Sequence, residues 1–296
     1  MILPARIQDQ KGRYALVDNI PFEMPILCSK SPVMMAIFPI DADKAAELLP
    51  GNGVTPIKIN NTALLVVTVI DYRQTVIGKY IEYSIAIACN HSLAPEKFRL
   101  PGLFSKRIDL GQYVVDLPVS SEISVKGGKG IWGMPKHQGN LDFKITDTTV
   151  SSQYDLDGQL CAYFEIQKPS RANIPMTMKA ANFCSYRGML MKSTVFFDGE
   201  AGFHAGKHAV AKFIVGDHPR MQPLKALGIK PDPIATAFIP EANGVLDDHF
   251  ENWFLHYSEQ PELAMPGFET VIDLTRSEAW LEPPSAPVPG IDTGNS

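Results

Sequence analysis

The chain has 296 residues, 45% of them hydrophobic and 20% charged, a balance that suits a water-soluble fold with room for a core and a pocket. Its 27 Lys and Arg against 32 Asp and Glu give a formal net charge of -5 with no basic cluster, which lacks the footprint of a nucleic-acid binder. The most apolar stretch, residues 63–70, is far shorter than the roughly 18 residues of a membrane span.

The opening residues MILPARIQDQKGRY carry charge early and contain no apolar run. They predict no secretory leader and, by default, a cytoplasmic location. Cys28, Cys89, Cys161 and Cys184 lie far apart with no CxxC pair, as structural thiols do, so neither a zinc site nor a disulfide framework is expected. One domain over residues 1–280 is expected, followed by a Pro-rich extended tail over 281–296.

In chain order, an apolar run over 33–38 reads as a strand, and Asp41 caps a short helix that Pro50 and Gly51 end. Residues 62–72 (TALLVVTVIDY) are apolar and β-branched almost throughout, the pattern of a central strand covered on both faces. Over 79–89 the odd positions are large or apolar and the even ones small or polar. Alternation therefore puts Glu82 with Ser84, Ala86 and Ala88 on a face where a barrel interior leaves room for a ligand.

Residues 141–156 read as two strands, and Asp157-Gly158 is a hairpin signal before a strand at 159–166. Further strands are expected at 189–197, 209–215 and 235–239, with a helix near 219–227. Many strands, few helices and no βαβ alternation predict a mainly β (α+β) fold, an antiparallel barrel or cone-like sheet with a few peripheral helices.

The segment SSEISVKGGKGIWGMPKHQGN, residues 120–140, carries the chemistry. Ser120 or Ser121 caps a short helix, Gly127-Gly128 end it, and 130–135 form a tight loop that presents Lys136 on a stiff backbone. A lysine so held is suited to nucleophilic work.

The segment Trp132-Gly133-Met134-Pro135-Lys136-His137, the upstream Gly78-Lys79-Tyr80-Ile81-Glu82, and Gly216-Asp217-His218-Pro219 followed by Leu224-Lys225-Ala226-Leu227-Gly228 together resemble the acetoacetate decarboxylase-like superfamily over residues 30–260. The resemblance implies that Lys136 forms a Schiff base with a carbonyl substrate and that Glu82 is the pocket glutamate. It also implies a homo-oligomeric lyase acting on a small keto acid, with no cofactor, no metal, no nucleic acid and no membrane partner.

The chemistry asks much of Lys136, because an exposed lysine (pKa about 10.4) is a free amine in only roughly 1 of 2,500 molecules at pH 7. A water-poor pocket is one means of activation, and the acetoacetate decarboxylase lysine is itself the standard example. His137 stands where the best-known relatives have a second lysine, and with Trp132 and Met134 it is a candidate substrate contact. Ser31 and Val67 stand near the family's arginine and second glutamate, so acetoacetate itself is not the expected substrate, and Lys30 or Arg73 are the cations left to compensate.

Decarboxylation of a β-keto acid is the first expectation. An aldolase or dehydratase using the same lysine is the alternative, and a non-catalytic barrel that binds a small ligand is a third reading. Asp247-Asp248-His249 and the pair His204 and His208 are poor metal sets, the first because consecutive residues diverge and the second because its surroundings suit a strand or loop.

Overall fold

A computed structural model describes residues 12–95, 98 and 107–259. The chain divides into two units, Met1–Glu262 and Leu263–Ser296, and every described residue belongs to the first. The expected Pro-rich tail lies outside the described residues.

Seven strands close a barrel. They are β1 (Ile26–Ile40), β2 (Thr62–Tyr72), β3 (Tyr80–His91), β4 (Arg107–Val119), and, after a helix and a second sheet, Ile174–Tyr186, Met189–Ala205 and Ala235–Phe254. Between the two groups come helix α2 (Glu122–Trp132), which follows α1 (Ala42–Leu48), then β5 (Lys136–Gln138), β6 (Thr149–Leu156) and β7 (Gln159–Gln167). Ile174–Tyr186 is β8 and Met189–Ala205 is β9; β10 (Ala211–Val215) joins the second sheet, α3 is Gln222–Lys225, and Ala235–Phe254 is β11. Around the barrel the order is β4-β8-β9-β11-β1-β2-β3, and β3 pairs back onto β4. Closure removes the unpaired edges that an open sheet of this size would expose.

Pairing is antiparallel except where β8 and the short β5 each run parallel to β4. Residues 62–72 form the expected strand in full, buried on both faces. Leu64, Val66 and Ile70 face the barrel interior with Met35 and Leu110, while Leu65, Val67 and Val69 face outward. A second sheet built on β6, β7 and β10 covers that outer face. Phe38 of β1 meets Phe164 of β7 edge-on at 6.4 Å and stacks on Phe213 of β10 at 5.7 Å, and Tyr83 of β3 lies 6.0 Å from Tyr154 of β6. The hairpin at Asp157-Gly158 forms as expected, both residues at positive φ (51° and 75°), the requirement of a type I′ turn.

Two expectations are corrected. The helix that opens at Ser121 does not stop at Gly127-Gly128 but runs to Trp132, with Gly133 at φ 66° as its left-handed cap. Its glycines are present for close approach: a Cβ would lie 2.8 Å from Phe22 at Gly127, 2.3 Å from Lys136 Cδ at Gly128 and 2.5 Å from Val17 at Gly130. The loop is correspondingly shorter, and Lys136 sits on a strand. The aromatic-rich residues 250–254 belong to the long β11, where they pair with β9. Finally, β4 and β8 went unassigned in the sequence: their polar residues Asp109, Gln112, Asp116 and Asn182 are buried, so polarity does not report exposure there.

One irregularity positions the site. Between β3 and β4 the register slips, so that Ile85 pairs with Asp116 and Ala86 with Val114, leaving Val115 as an extra residue.

Phe164 is fully buried between barrel and second sheet. Phe164→Ala should lower the unfolding free energy by about 3–5 kcal/mol, measured by denaturant titration.

Candidate active site

Glu82 lies on the interior face of β3, as alternation required, with Ser84. Lys136 is the first residue of β5 and pairs with Leu117 of β4, placing its side chain inside. The two meet: Lys136 Nζ is 2.7 Å from Glu82 Oε2, and the lysine is only 5% exposed. Nζ also donates to Ser124 Oγ of α2 at 3.0 Å and sits 5.4 Å from the centre of the Tyr80 ring. These partners complete the shell that a buried ammonium needs.

The support behind Lys136 is backbone-rich. Its stem runs across the bare face of Gly128. The Gly133 and Met134 amides donate to the carbonyls of Lys129 and Gly128, and Cys184 Sγ reaches the Gly133 carbonyl at 3.2 Å. The indole Nε1 of Trp132 donates to the Asp247 carbonyl at 2.9 Å, locking the ring and leaving its apolar surface to the interior. On the glutamate side, the Tyr72 hydroxyl approaches Oε1 at 3.4 Å, and the Tyr72 and Tyr80 rings stack at 4.5 Å.

Lys136 and Glu82 open onto an interior cavity of about 70 Å³, large enough for several waters or a small organic molecule. Its wall is mainly apolar and includes Trp132, Met134, Ile70, Phe197 and Leu246, with Gln112 and Asn182 as a separate polar spot. Burial first, and then the Glu82 charge, push the Tyr72 and Tyr80 phenols well above their usual range. Burial raises the Cys28 thiol to about 12. Near pH 7 these three groups are therefore neutral, and among the described lining residues Lys136 is the single cation and Glu82 the single carboxylate.

Of the residues singled out in the sequence, the structure thus brings Lys136, Glu82, Trp132 and Met134 to one cavity. His137 is not there, which corrects its expected substrate contact: as the next residue on β5 it points to the opposite side. It hydrogen-bonds the Tyr154 hydroxyl through Nε2 at 2.8 Å, with Asp116 3.6 Å from Nδ1 and Arg220 bound to that same carboxylate at 2.8 Å. Neither proposed replacement cation reaches the cavity wall; Arg73 pairs with Asp71 at 2.9 Å, and Lys30 is exposed. Val67 faces the second sheet, so the wall position on that strand belongs to Thr68.

Ser124, Tyr80, Tyr72, Gln112 and Asn182 were not anticipated. Ser124 left a usable signal, because it lies four residues before Gly128 and thus on the same face of α2. Among the described residues no group of three or more His, Cys, Asp or Glu gathers closely enough to hold a metal ion, and no helix is long and apolar enough to cross a membrane.

The profile of the family described as acetoacetate decarboxylase matches residues 9–189, more than half of the chain. The chain belongs to the acetoacetate decarboxylase family. No curated protein sequence matches it.

Solved structures share the fold at low identity. An acetoacetate decarboxylase from Legionella pneumophila is 12% identical with a TM-score of 0.56, the alignment covering 83% of this chain and 90% of the other. Another acetoacetate decarboxylase is 15% identical with a TM-score of 0.57, covering 86% and 98%. The enduracididine biosynthesis enzyme MppR is 13% identical with a TM-score of 0.53, covering 79% and 89%. The mainly β barrel with peripheral helices is therefore the acetoacetate decarboxylase fold.

Two predictions follow from this geometry. Gly128→Ala should lower the unfolding midpoint, since crowding the buried Lys136 stem costs about 1–3 kcal/mol and outweighs the roughly 1 kcal/mol by which alanine is the better helix former. The new methyl would displace the Lys136 stem, and the reaction rate of the amine should fall about 100-fold, read as the rate of covalent labelling by a carbonyl reagent. For His137, burial lowers the pKa below the ordinary 6.5. The unfolded chain then binds a proton that the folded one refuses, so this contribution is present above about pH 6.5 and lost as pH falls toward the folded value. The pH dependence of stability between 7.5 and 5 should therefore flatten in His137→Gln, checked by denaturant titration at both ends.

Proposed function

We propose that this protein is a Schiff-base-forming lyase that decarboxylates a β-keto acid through an imine on Lys136. The observation that carries the reading is the buried amine 2.7 Å from Glu82 on the wall of an enclosed cavity.

Glu82 takes one proton from the ammonium and frees the nitrogen lone pair, which adds to the substrate carbonyl carbon. Two protons leave nitrogen altogether and depart with the carbonyl oxygen as water, Glu82 carrying them and returning to its carboxylate. The product is a protonated imine with the same net charge as the starting ammonium. In a β-keto acid the bond to the carboxylate carbon then breaks, its electron pair moves toward the iminium nitrogen, and carbon dioxide leaves a neutral enamine. Glu82, recharged with a proton from solvent, delivers it to the enamine carbon, and water hydrolyses the resulting imine.

The wall supports a substrate less polar than acetoacetate. With Lys136 as the single cation among the described lining residues, the substrate carboxylate lies in apolar surroundings. Losing its charge as carbon dioxide is favoured there.

The same imine also serves aldol condensation and dehydration. MppR, which shares the fold, has been solved with pyruvate and with a condensation product of pyruvate and imidazole 4-carboxaldehyde. Condensation is therefore the second reading, and a cytoplasmic homo-oligomer is the assembly we expect.

Borohydride added with a candidate keto acid should reduce the imine to a stable adduct on the peptide bearing Lys136, seen by mass spectrometry. Lys136→Ala and Lys136→Arg should both give no adduct, because a guanidinium stays charged. Glu82→Gln should slow trapping about 100-fold or more. Full turnover in either Lys136 variant would overturn the assignment, and carbon dioxide release separates decarboxylation from condensation.

A further inference from the structure

Gln112 of β4 and Asn182 of β8 are Cα partners in the parallel pair, and both side chains lie on the cavity wall, each at least nine-tenths buried. Gln112 Nε2 donates to Asn182 Oδ1 at 2.7 Å, while Gln112 Oε1 is sealed from water with no hydrogen-bond partner. An unmet buried acceptor costs about 1–3 kcal/mol. A donor on a molecule held in the cavity would remove that cost.

The two amides satisfy one donor and one acceptor on each other. What is left over is one carbonyl oxygen and one NH2 group. Exchanging oxygen and nitrogen in both residues gives the same remainder. The pair is thus complementary to a group that both donates and accepts, and that carries no charge.

Its placement apart from the amine sets the rest of the ligand. Gln112 lies five residues along β4 from Leu117, the Cα partner of Lys136, and both Gln112 and Lys136 line the same cavity. The wall between them includes Val114 and Trp132 and is apolar.

We propose that Gln112 and Asn182 are the specificity-determining pair of the cavity, selecting a carbonyl substrate whose far end, beyond an apolar spacer, carries a hydroxyl or primary amide. This rests on the imine reading for the near end of the substrate. A methyl terminus leaves both amides unmet, and a carboxylate terminus sets an anion against the free carbonyl oxygen with no second cation among the described lining residues. Sites built to hydrogen-bond a substrate hydroxyl reject analogues that lack it far more strongly than apolar pockets reject a change of size.

The test uses methyl ketones with polymethylene tails of graded length ending in hydroxyl, methyl or carboxylate. They are titrated calorimetrically into the full chain and, separately, trapped with borohydride. The hydroxyl-ended member of the best length should bind at least about tenfold more tightly than its methyl and carboxylate counterparts. In Gln112→Leu/Asn182→Leu the hydroxyl preference should shrink to within about twofold. Gln112→Glu keeps the shape should the double variant fail to fold, and should shift preference to an ammonium-ended ketone.

Equal affinities for all three ends at every length, no binding of any hydroxyl-ended ketone, or a ranking unchanged in the variants would overturn the proposal. The trapping arm reads the other claim separately. Tail-dependent binding without an adduct on Lys136 removes the imine and leaves the tail selection, whereas adducts formed equally with every tail remove the selection and leave the imine.

Discussion

A carboxylate and an ammonium held 2.7 Å apart inside a barrel are the constraint around which the rest of this molecule is arranged. Neither charge survives alone out of water, since breaking such a pair from one side costs about 3–5 kcal/mol. Ser124 and Tyr80 occupy the remaining directions around Nζ. The fold then has to bring strand β3, strand β5 and helix α2 to one point, and the glycine face of α2 is what lets the lysine stem pass between helix and barrel.

This arrangement bears on how the amine would be activated in the imine chemistry proposed for it. The sequence left most of the activating to desolvation, because His137 in the place of a second lysine offers no fixed cation. The structure adds a carboxylate in direct contact, Glu82 Oε2 at 2.7 Å from the amine nitrogen. His137 contributes on the other side of β5, where Tyr154 and the Asp116–Arg220 pair fix the strand that bears Lys136.

How legible this was depended on whether the signal was local. Alternation on 80–89 put Glu82 on the cavity face, and the continuous apolar run at 62–72 identified the strand covered twice, because both patterns report what lies directly above and below the strand. The glycines of α2 misled, since glycine ends helices by its conformational freedom but here serves by its lack of a side chain, a need set by Phe22, Lys136 and Val17 from elsewhere in the chain. Gln112 and Asn182 are 70 positions apart and belong to no motif. Strands β4 and β8 were hidden for the same reason, as their buried polar residues find partners far away in the chain, Gln112 with Asn182 on the neighbouring strand and Asp116 with Arg220.

The extra residue at Val115 has a geometric effect out of proportion to its size. On β4 the cavity is lined at 110, 112 and 114, then at 117, an odd step that no regular strand allows. The bulge inverts the phase of the strand midway, so Gln112 and Leu117 look inward while Asp116 looks out to Arg220. Lys136, tied to Leu117 by the parallel pairing, inherits that inverted phase. Were the same residues threaded through a strand of unbroken alternation, every side chain of the site would still be present in the chain, yet Leu117 would turn outward and the amine would be carried to the outside of the barrel with it.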